Sequence, residues 1–304
     1  SSVEYINLST LALNTPLHAV VNSETELVVQ IENAGNTAVQ EFTIQIHQAA
    51  DDSVIYTNTY SMELLADAQL ELQLPLTFTE PGIIDVYASV SCAEDSILAD
   101  NYSAIREIIV LEENTQISLI GYDEEIEYAN TLPFNFFYKN SVAETIYLSS
   151  ELNLPEAQIE GIEFPYDFVQ DIAGRELKVW LKNTDDTSLG ADFPAFEGYS
   201  LVYDLPVDFR VGERSLYLPF DIPFTYTGGN LAIRTNRVMD SQYFNSANRF
   251  KQYEAGAGRS IYLRSDSIQY EPTSALSGAT ISSKAPLITV HYREIILSLP
   301  EISI

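Results

Sequence analysis

The stretch KNTDDTSLGAD places Asn183, Asp185, Asp186 and Asp192 within ten residues. Hard cations take several carboxylate or carbonyl oxygens from one loop, so this segment is a candidate calcium site. GYDEEIE, with Asp123, Glu124 and Glu125, is a second such loop. Neither follows the D-x-[DN]-x-[DN]-G pattern, and both also read as acidic turns in water, because Asp and Asn favour turns. The three histidines, His18, His47 and His291, are far apart and show no H-E-x-x-H spacing. There is no G-x-S-x-G elbow. The lone cysteine, Cys92, lies in SVSCAED, where neighbouring acids raise its pKa and blunt the thiolate. A pair of carboxylates could serve glycoside hydrolysis, but among 44 acidic residues some pair always exists, so the count carries no signal. The expectation is a chain that is not an enzyme and holds no cofactor other than, at most, calcium.

Thr227-Gly228-Gly229-Asn230 raises a separate possibility, a phosphate loop. Such loops need G-x-x-x-x-G-K-[ST] or G-x-G-x-x-G ahead of a helix, whose N-terminus supplies aligned amide donors. Here the strand-like LAIRTNR follows instead. The glycines therefore predict a tight turn, a hairpin or another strand connection, where positive φ is inexpensive.

The elements that must position these residues read as strands. ELVVQIENAG, EFTIQIHQ, LELQLPLTF, IIDVYASVS and AIREIIVL are short β-branched or aromatic runs with partial period-two alternation. In EFTIQIHQ, Phe42, Ile44 and Ile46 share one face. Turn chemistry such as Asn33-Ala34-Gly35-Asn36 and Pro81-Gly82 bounds the runs. LLADAQLEL alone hints at helix, and it reads better as a connection into a strand. Beyond about residue 117 the strands become rich in aromatics, from PFNFFYKNSVAETIYL to PLITVHY, roughly nine in all. Phe134, Phe136, Phe137, Tyr138, Tyr147, Tyr166, Trp180, Tyr199 and Tyr203 fit a core at strand spacing; a sugar-stacking platform is the alternative.

Length and charge set the outer limits. A chain of 304 residues suits two domains. Residues 1–105 contain no Lys or Arg, whereas the remainder mixes both signs, which suggests a boundary near 112. A net charge of −29 repels phosphate backbones and anionic lipid, so nucleic acid is excluded as a partner. No apolar run is long enough to span a bilayer, so direct membrane insertion is not expected. The chain opens at SSVEYINL without a basic-then-apolar leader and is expected to be a mature or excised portion of a processed protein. One cysteine precludes an intramolecular disulfide.

Two resemblances follow from the order of these motifs. The run from ELVVQIENAGNTAVQEFTIQI to LLADAQLELQLPLTFTEPGIIDVYASVSCAEDSILADNYSA resembles the CARDB family, the cell-adhesion-related Ig-like domains of bacterial surface proteins. The shared features are Asn33 and Gly35, Pro81 and Gly82, and the acidic stretch from Asp95 to Asp100-Asn101. Between Pro133 and Tyr292, the order ending in YTGGNLAI and PLITVHY resembles a β-sandwich accessory domain of secreted and surface proteins in Bacteroidota, many of them type IX secretion cargo. Asp52-Ser53, Asp95-Ser96 and Asp266-Ser267, each followed by an apolar residue, are similar to an O-glycan acceptor pattern of that phylum. It implies glycosylation at Ser53, Ser96 and Ser267.

The expected fold is all-β: an N-terminal Ig-like β-sandwich over 1–112, a larger jelly-roll-like β-sandwich over 113–292, and a linker or terminal strand over 293–304. The expected role is a non-enzymatic extracellular adhesion or spacer module, secreted or on the cell surface. Its partners would be other extracellular domains, surface proteins or glycans, with a homo-oligomer also open. Two alternatives stand beside it: accessory, carbohydrate-binding domains of a larger secreted peptidase or glycosidase, and a filament subunit assembled by strand addition.

Overall fold

The computed structural model describes residues 3–295. The chain divides into two compact units, Ser1–Thr115 and Gln116–Ile304. In the first, eight strands follow in order: β1 Leu8–Asn14, β2 His18–Val20, β3 Glu24–Asn33, β4 Val39–Gln48, β5 Val54–Leu64, β6 Gln69–Thr77, β7 Gly82–Ser91 and β8 Arg106–Leu111. They form a three-stranded sheet, β1-β3-β6, facing a five-stranded one, β2-β8-β7-β4-β5. The short β2 runs parallel to β8, and the other pairs are antiparallel. This is the immunoglobulin order, with the first strand split between the two sheets.

Alternation explains the closure. Phe42, Ile44 and Ile46 of β4 are buried, as are Leu27, Val29 and Ile31 of β3 from the opposite sheet. LLADAQLEL turns at Asp67, whose φ is 58°, and enters β6. β5 carries no legible alternation because it is an edge strand, exposed along most of its length.

Among the described residues the second unit has thirteen strands, more than the nine or so that the sequence suggests: β9 Gln116–Ile120, β10 Glu127–Ala129, β11 Asn140–Tyr147, β12 Ala157–Phe168, β13 Ile172–Thr184, β14 Ser200–Phe209, β15 Gly212–Tyr226, β16 Asn230–Arg237, β17 Arg249–Glu254, β18 Ser260–Ser265, β19 Thr280–Ser282, β20 Lys284–Pro286 and β21 Ile288–Glu294. A single-turn helix, α1, spans Ser149–Leu152. Eight strands, β9, β11 to β16 and β21, make the frame. Numbered one to eight along the chain, they lie 1-8-3-6 in one sheet and 2-7-4-5 in the other, the order of a jelly roll. The insertion β17–β20 extends both sheets: β17 continues along β12 where β21 leaves off, and β18 pairs with β11.

The core between these sheets is aromatic. Phe168 stacks on Phe209 with ring centroids 4.7 Å apart, and Phe136 meets Phe209 edge-on at 4.9 Å. Edge-to-face contacts of this kind add to the area buried. Phe134, Phe136, Tyr147 and Tyr166 belong to this core, whereas Phe137 is exposed. The Gly-Gly turn carries the chain from β15 in one sheet to β16 in the other, with Gly228 at φ 89°. It is a connection between layers, and no helix follows it.

Candidate functional site

The sheet containing β11, β13 and β16 is buried on both faces. Val179 and Leu181 point into the aromatic core, while Val142, Ile146, Ala232 and Ile261 pack outward against Leu189, Phe193 and Ala279 from two covering loops. Trp180 belongs to the outer face, buried with its ring edge-on to Phe196 at 6.0 Å. At Val179, Trp180 and Leu181 β13 is therefore buried on both faces.

Charge lies under those loops. Glu144 of β11 and Arg234 of β16 are cross-strand neighbours, and both side chains are fully buried. Arg234 Nε donates to Glu144 Oε2 at 2.6 Å, and its Nη1 and Nη2 donate to the carbonyls of Pro272 and Pro194 at 2.7 and 2.8 Å. Tyr199 donates its hydroxyl to Glu144 Oε1, and its ring lies 4.4 Å from the guanidinium carbon. Burial pushes the Glu144 carboxyl up, against the pull of Arg234 and Tyr199. Burial first, and then the Glu144 charge, raises the Tyr199 hydroxyl. This constellation is saturated: each guanidinium edge has a partner, so it clasps the loops through their carbonyls and presents nothing to a solute.

Beside it a cavity of about 160 Å³ is open to a ligand, lined by Lys178, Trp180, Asn236, Gln269, Tyr270 and Glu271 among others. Asn236 holds the floor, its Nδ2 donating to Ser141 O and Arg237 O. Lys178 is paired with Asp204 at 3.0 Å and half exposed. In the first unit a larger groove of about 310 Å³ runs over Leu76, Phe78, Pro81, Ile83 and Val110, with Glu80 as its charged member.

The sequence-predicted calcium loop lies where β13 ends. Asn183 is engaged at both ends of its amide: Nδ2 donates to Thr225 O at 2.9 Å and Oδ1 accepts from Thr227 N at 3.1 Å. Asp186 accepts from the Thr184 hydroxyl at 3.1 Å, and its carbonyl accepts from Asn230 Nδ2 at 3.0 Å. Asp185 and Asp192 are exposed, with the buried Leu189 between them. Asp123, Glu124 and Glu125 are likewise exposed, in the turn between β9 and β10. Within either unit, among the described residues, no three His, Cys, Asp or Glu ligand atoms gather within 4.8 Å of one another.

Ser53 and Ser267 lie in surface turns, and Ser96 is exposed but tied by its hydroxyl to Ile6 O at 2.6 Å. His47 stacks on Tyr87 at 4.7 Å and bonds Ser89 Oγ through Nε2 at 2.8 Å. His291 is buried beside Glu163, to which Nε2 is hydrogen-bonded, and its ring stacks on Tyr217 at 4.7 Å. The sequence shows no ligand spacing around this histidine, and β21 hides it because the strand lies between β12 and β9. Cys92 is half-buried, and desolvation followed by the Asp95 charge pushes its thiol up to about 11. The residues that sequence reasoning missed are the buried ions, Glu144, Glu163 and Arg234. Nothing local in the strands AQIEGIEFPYDF and NLAIRTNR sets Glu163 or Arg234 apart from the other charges they carry.

No protein-family model matches the chain, and no curated relative does. Among solved structures it is similar to the CARDB domain of the Pyrococcus furiosus protein PF1109, solved in complex with di-metal ions: 18% identity over 37% of this chain and 100% of that one, TM-score 0.31. It is also similar to a domain of a Methanosarcina acetivorans protein assigned to the cell surface, with 18% identity over 35% and 93% of the two chains and a TM-score of 0.29. A β-glucosidase from Erythrobacter marinus is similar at 14% identity and TM-score 0.27; 36% of this chain is covered, and only 16% of that enzyme.

Proposed function

We propose that this chain is a non-enzymatic extracellular module that spaces or displays neighbouring domains on a bacterial surface, as part of a secreted protein of the kind Bacteroidota export through the type IX system. The observation that carries this reading is the join. β8 ends at Leu111 and β9 begins at Gln116, so two complete sandwiches follow each other with four residues between their strands. That connection is itself a turn, with Asn114 at φ 65° and Thr115 N donating to Glu112 O at 3.2 Å. Two sandwiches strung in series by so short a connection are what a spacer or display module requires. The acidic surface keeps such a module soluble outside the cell.

A carbohydrate-binding accessory role is supported by the cavity walled by Trp180 and Tyr270, since an aromatic wall beside amide and charged groups fits a sugar ring. The strand-addition alternative falls largely on residues 296–304, outside the described residues. One experiment separates the first two readings: the purified chain is applied to a glycan array and to panels of polysaccharide and peptide substrates. Turnover by this chain alone would overturn the non-enzymatic reading. Glycan binding that Tyr270→Ala removes would favour the accessory role over simple spacing.

A further inference from the structure

We infer that the first unit holds a calcium ion among Asn7, Asp95, Asp100 and Asn101, at the point where the chain enters β1 and leaves β7. These four residues form a ring in which two side-chain hydrogen bonds are joined through the backbone. Asn7 Nδ2 donates to Asp100 Oδ2 and Asn101 Nδ2 to Asp95 Oδ2, each at 3.2 Å. Asp95 Oδ2 also accepts from Leu8 N at 3.3 Å, next to Asn7 in the chain, and Asp95 Oδ1 accepts from Ile97 N at 3.1 Å.

Three oxygens of this ring have no donor. Asn7 Oδ1, Asp100 Oδ1 and Asn101 Oδ1 are all buried and unbonded among the described residues, and Asn7 and Asn101 are each only 4% exposed. Native interiors pair such acceptors, so an orphaned cluster calls for a missing partner. A water carries two protons and can serve two of the three oxygens. It would also add no positive charge beside Asp95 and Asp100, which both bond to the Asn7-Leu8 segment. Arg106, the sole Lys or Arg in residues 1–115, is engaged elsewhere: its Nε donates to Leu13 O at 2.9 Å.

A divalent cation meets both needs. Two carboxylates and two amide oxygens are hard ligands, and calcium completes a shell of six to eight oxygens with water, whereas magnesium demands a stricter octahedron. The scaffold for the ring is already rigid. Gly35 N donates to Asn7 O at 3.2 Å and Asn36 Oδ1 accepts from Tyr5 N at 2.8 Å, so the turn after β3 pins the segment that carries Asn7. Ile6 pairs with Asp95 as an isolated parallel bridge, and Asn101 O accepts from Val90 N at 3.0 Å and from the Thr10 hydroxyl at 2.6 Å. The site is separate from the loop over 183–192, which belongs to the second unit.

The test uses the full chain stripped by chelator and titrated with Ca²⁺ by calorimetry, with melting followed in Ca²⁺ and in EDTA. Calcium should bind and raise the melting temperature of the first unit. Asp100→Asn should weaken that binding by about tenfold or more, since a charged ligand is lost, while the exposed-acid control Asp67→Asn should not. Asn7→Asp covers the case in which Asp100→Asn fails to fold: its added carboxylate should lower stability in EDTA and restore it in Ca²⁺. The inference is overturned if wild type and Asn7→Asp each melt identically with and without Ca²⁺, or if Asp100→Asn binds Ca²⁺ as the wild type does.

Discussion

The second unit buries Arg234, Arg237 and Arg259, each below 5% exposed, and sets a carboxylate against each one: Glu144, Asp240 and Glu151. The first unit buries amides instead. Asn33 is fully enclosed, its Nδ2 donating to Thr37 O and Leu64 O and its Oδ1 accepting from Gly35 N, and the ring around Asp95 and Asp100 is completed by Asn7 and Asn101. The difference follows from what each half of the sequence supplies. With fourteen of the fifteen basic residues beyond residue 115, the second unit can neutralise buried acids with guanidinium groups. The first must rely on neutral hydrogen-bonding side chains or on an external cation. Similar sandwiches thus solve the problem of interior polarity by different chemistry.

Breaking the second unit's solution should have the largest effect. Arg234→Met leaves Glu144 buried and uncompensated, and is expected to cost about 3–5 kcal/mol in denaturant unfolding of that unit. Adding Glu144→Leu should recover much of it, because a pair replaced by apolar groups is often neutral. A loss below about 1 kcal/mol for the single change would mean that the pair is incidental.

The first unit's solution is sharpened by Gly35→Ala. A Cβ there would stand 2.7 Å from both Asn7 N and Tyr5 O, so the backbone that carries Asn7 must move. The expected cost is about 1–3 kcal/mol, read as a lower melting temperature of the first unit with the second unchanged. Unaltered melting would show that the turn does not hold the entry strand.

The smallest effect is a pH dependence at the margin of the second unit. Burial works to raise the Asp240 carboxyl, but the hydrogen bond from Arg175 at 2.6 Å, the Gln242 amide and the charges of Arg175 and Arg237 together hold it below its ordinary 3.8. A lowered folded-state value stabilises fully above 3.8 and is lost as the pH falls through that lower value. Asp240→Asn should therefore cost about 1 kcal/mol at neutral pH, and the gap from wild type should close in strong acid. A gap constant down to pH 2 would contradict the assignment.

Much of this was legible in the residues. Period-two alternation placed Phe42, Ile44 and Ile46 in the core, and the Gly-Gly turn announced a strand connection, because both signals are local. β5 escaped because an edge strand exposed along most of its length has no alternation to read. β11 escaped as a site because its whole length is buried and nothing local sets Glu144 apart among the 44 acidic residues. The acidic stretch ending at Asp100-Asn101 was visible as a motif, yet its oxygens gained a meaning only beside Asn7, some ninety residues earlier.

What the sequence determined alone is the β class and the concentration of basic charge after residue 105; these depend on near neighbours and composition. The tertiary structure alone decided which charges are interior, which loops cover the outer face of β11, β13 and β16, and which carbonyls Arg234 ties together. The reason is physical: burial and pairing are properties of atoms brought close by strands distant in the chain, and a list of residues does not carry that proximity.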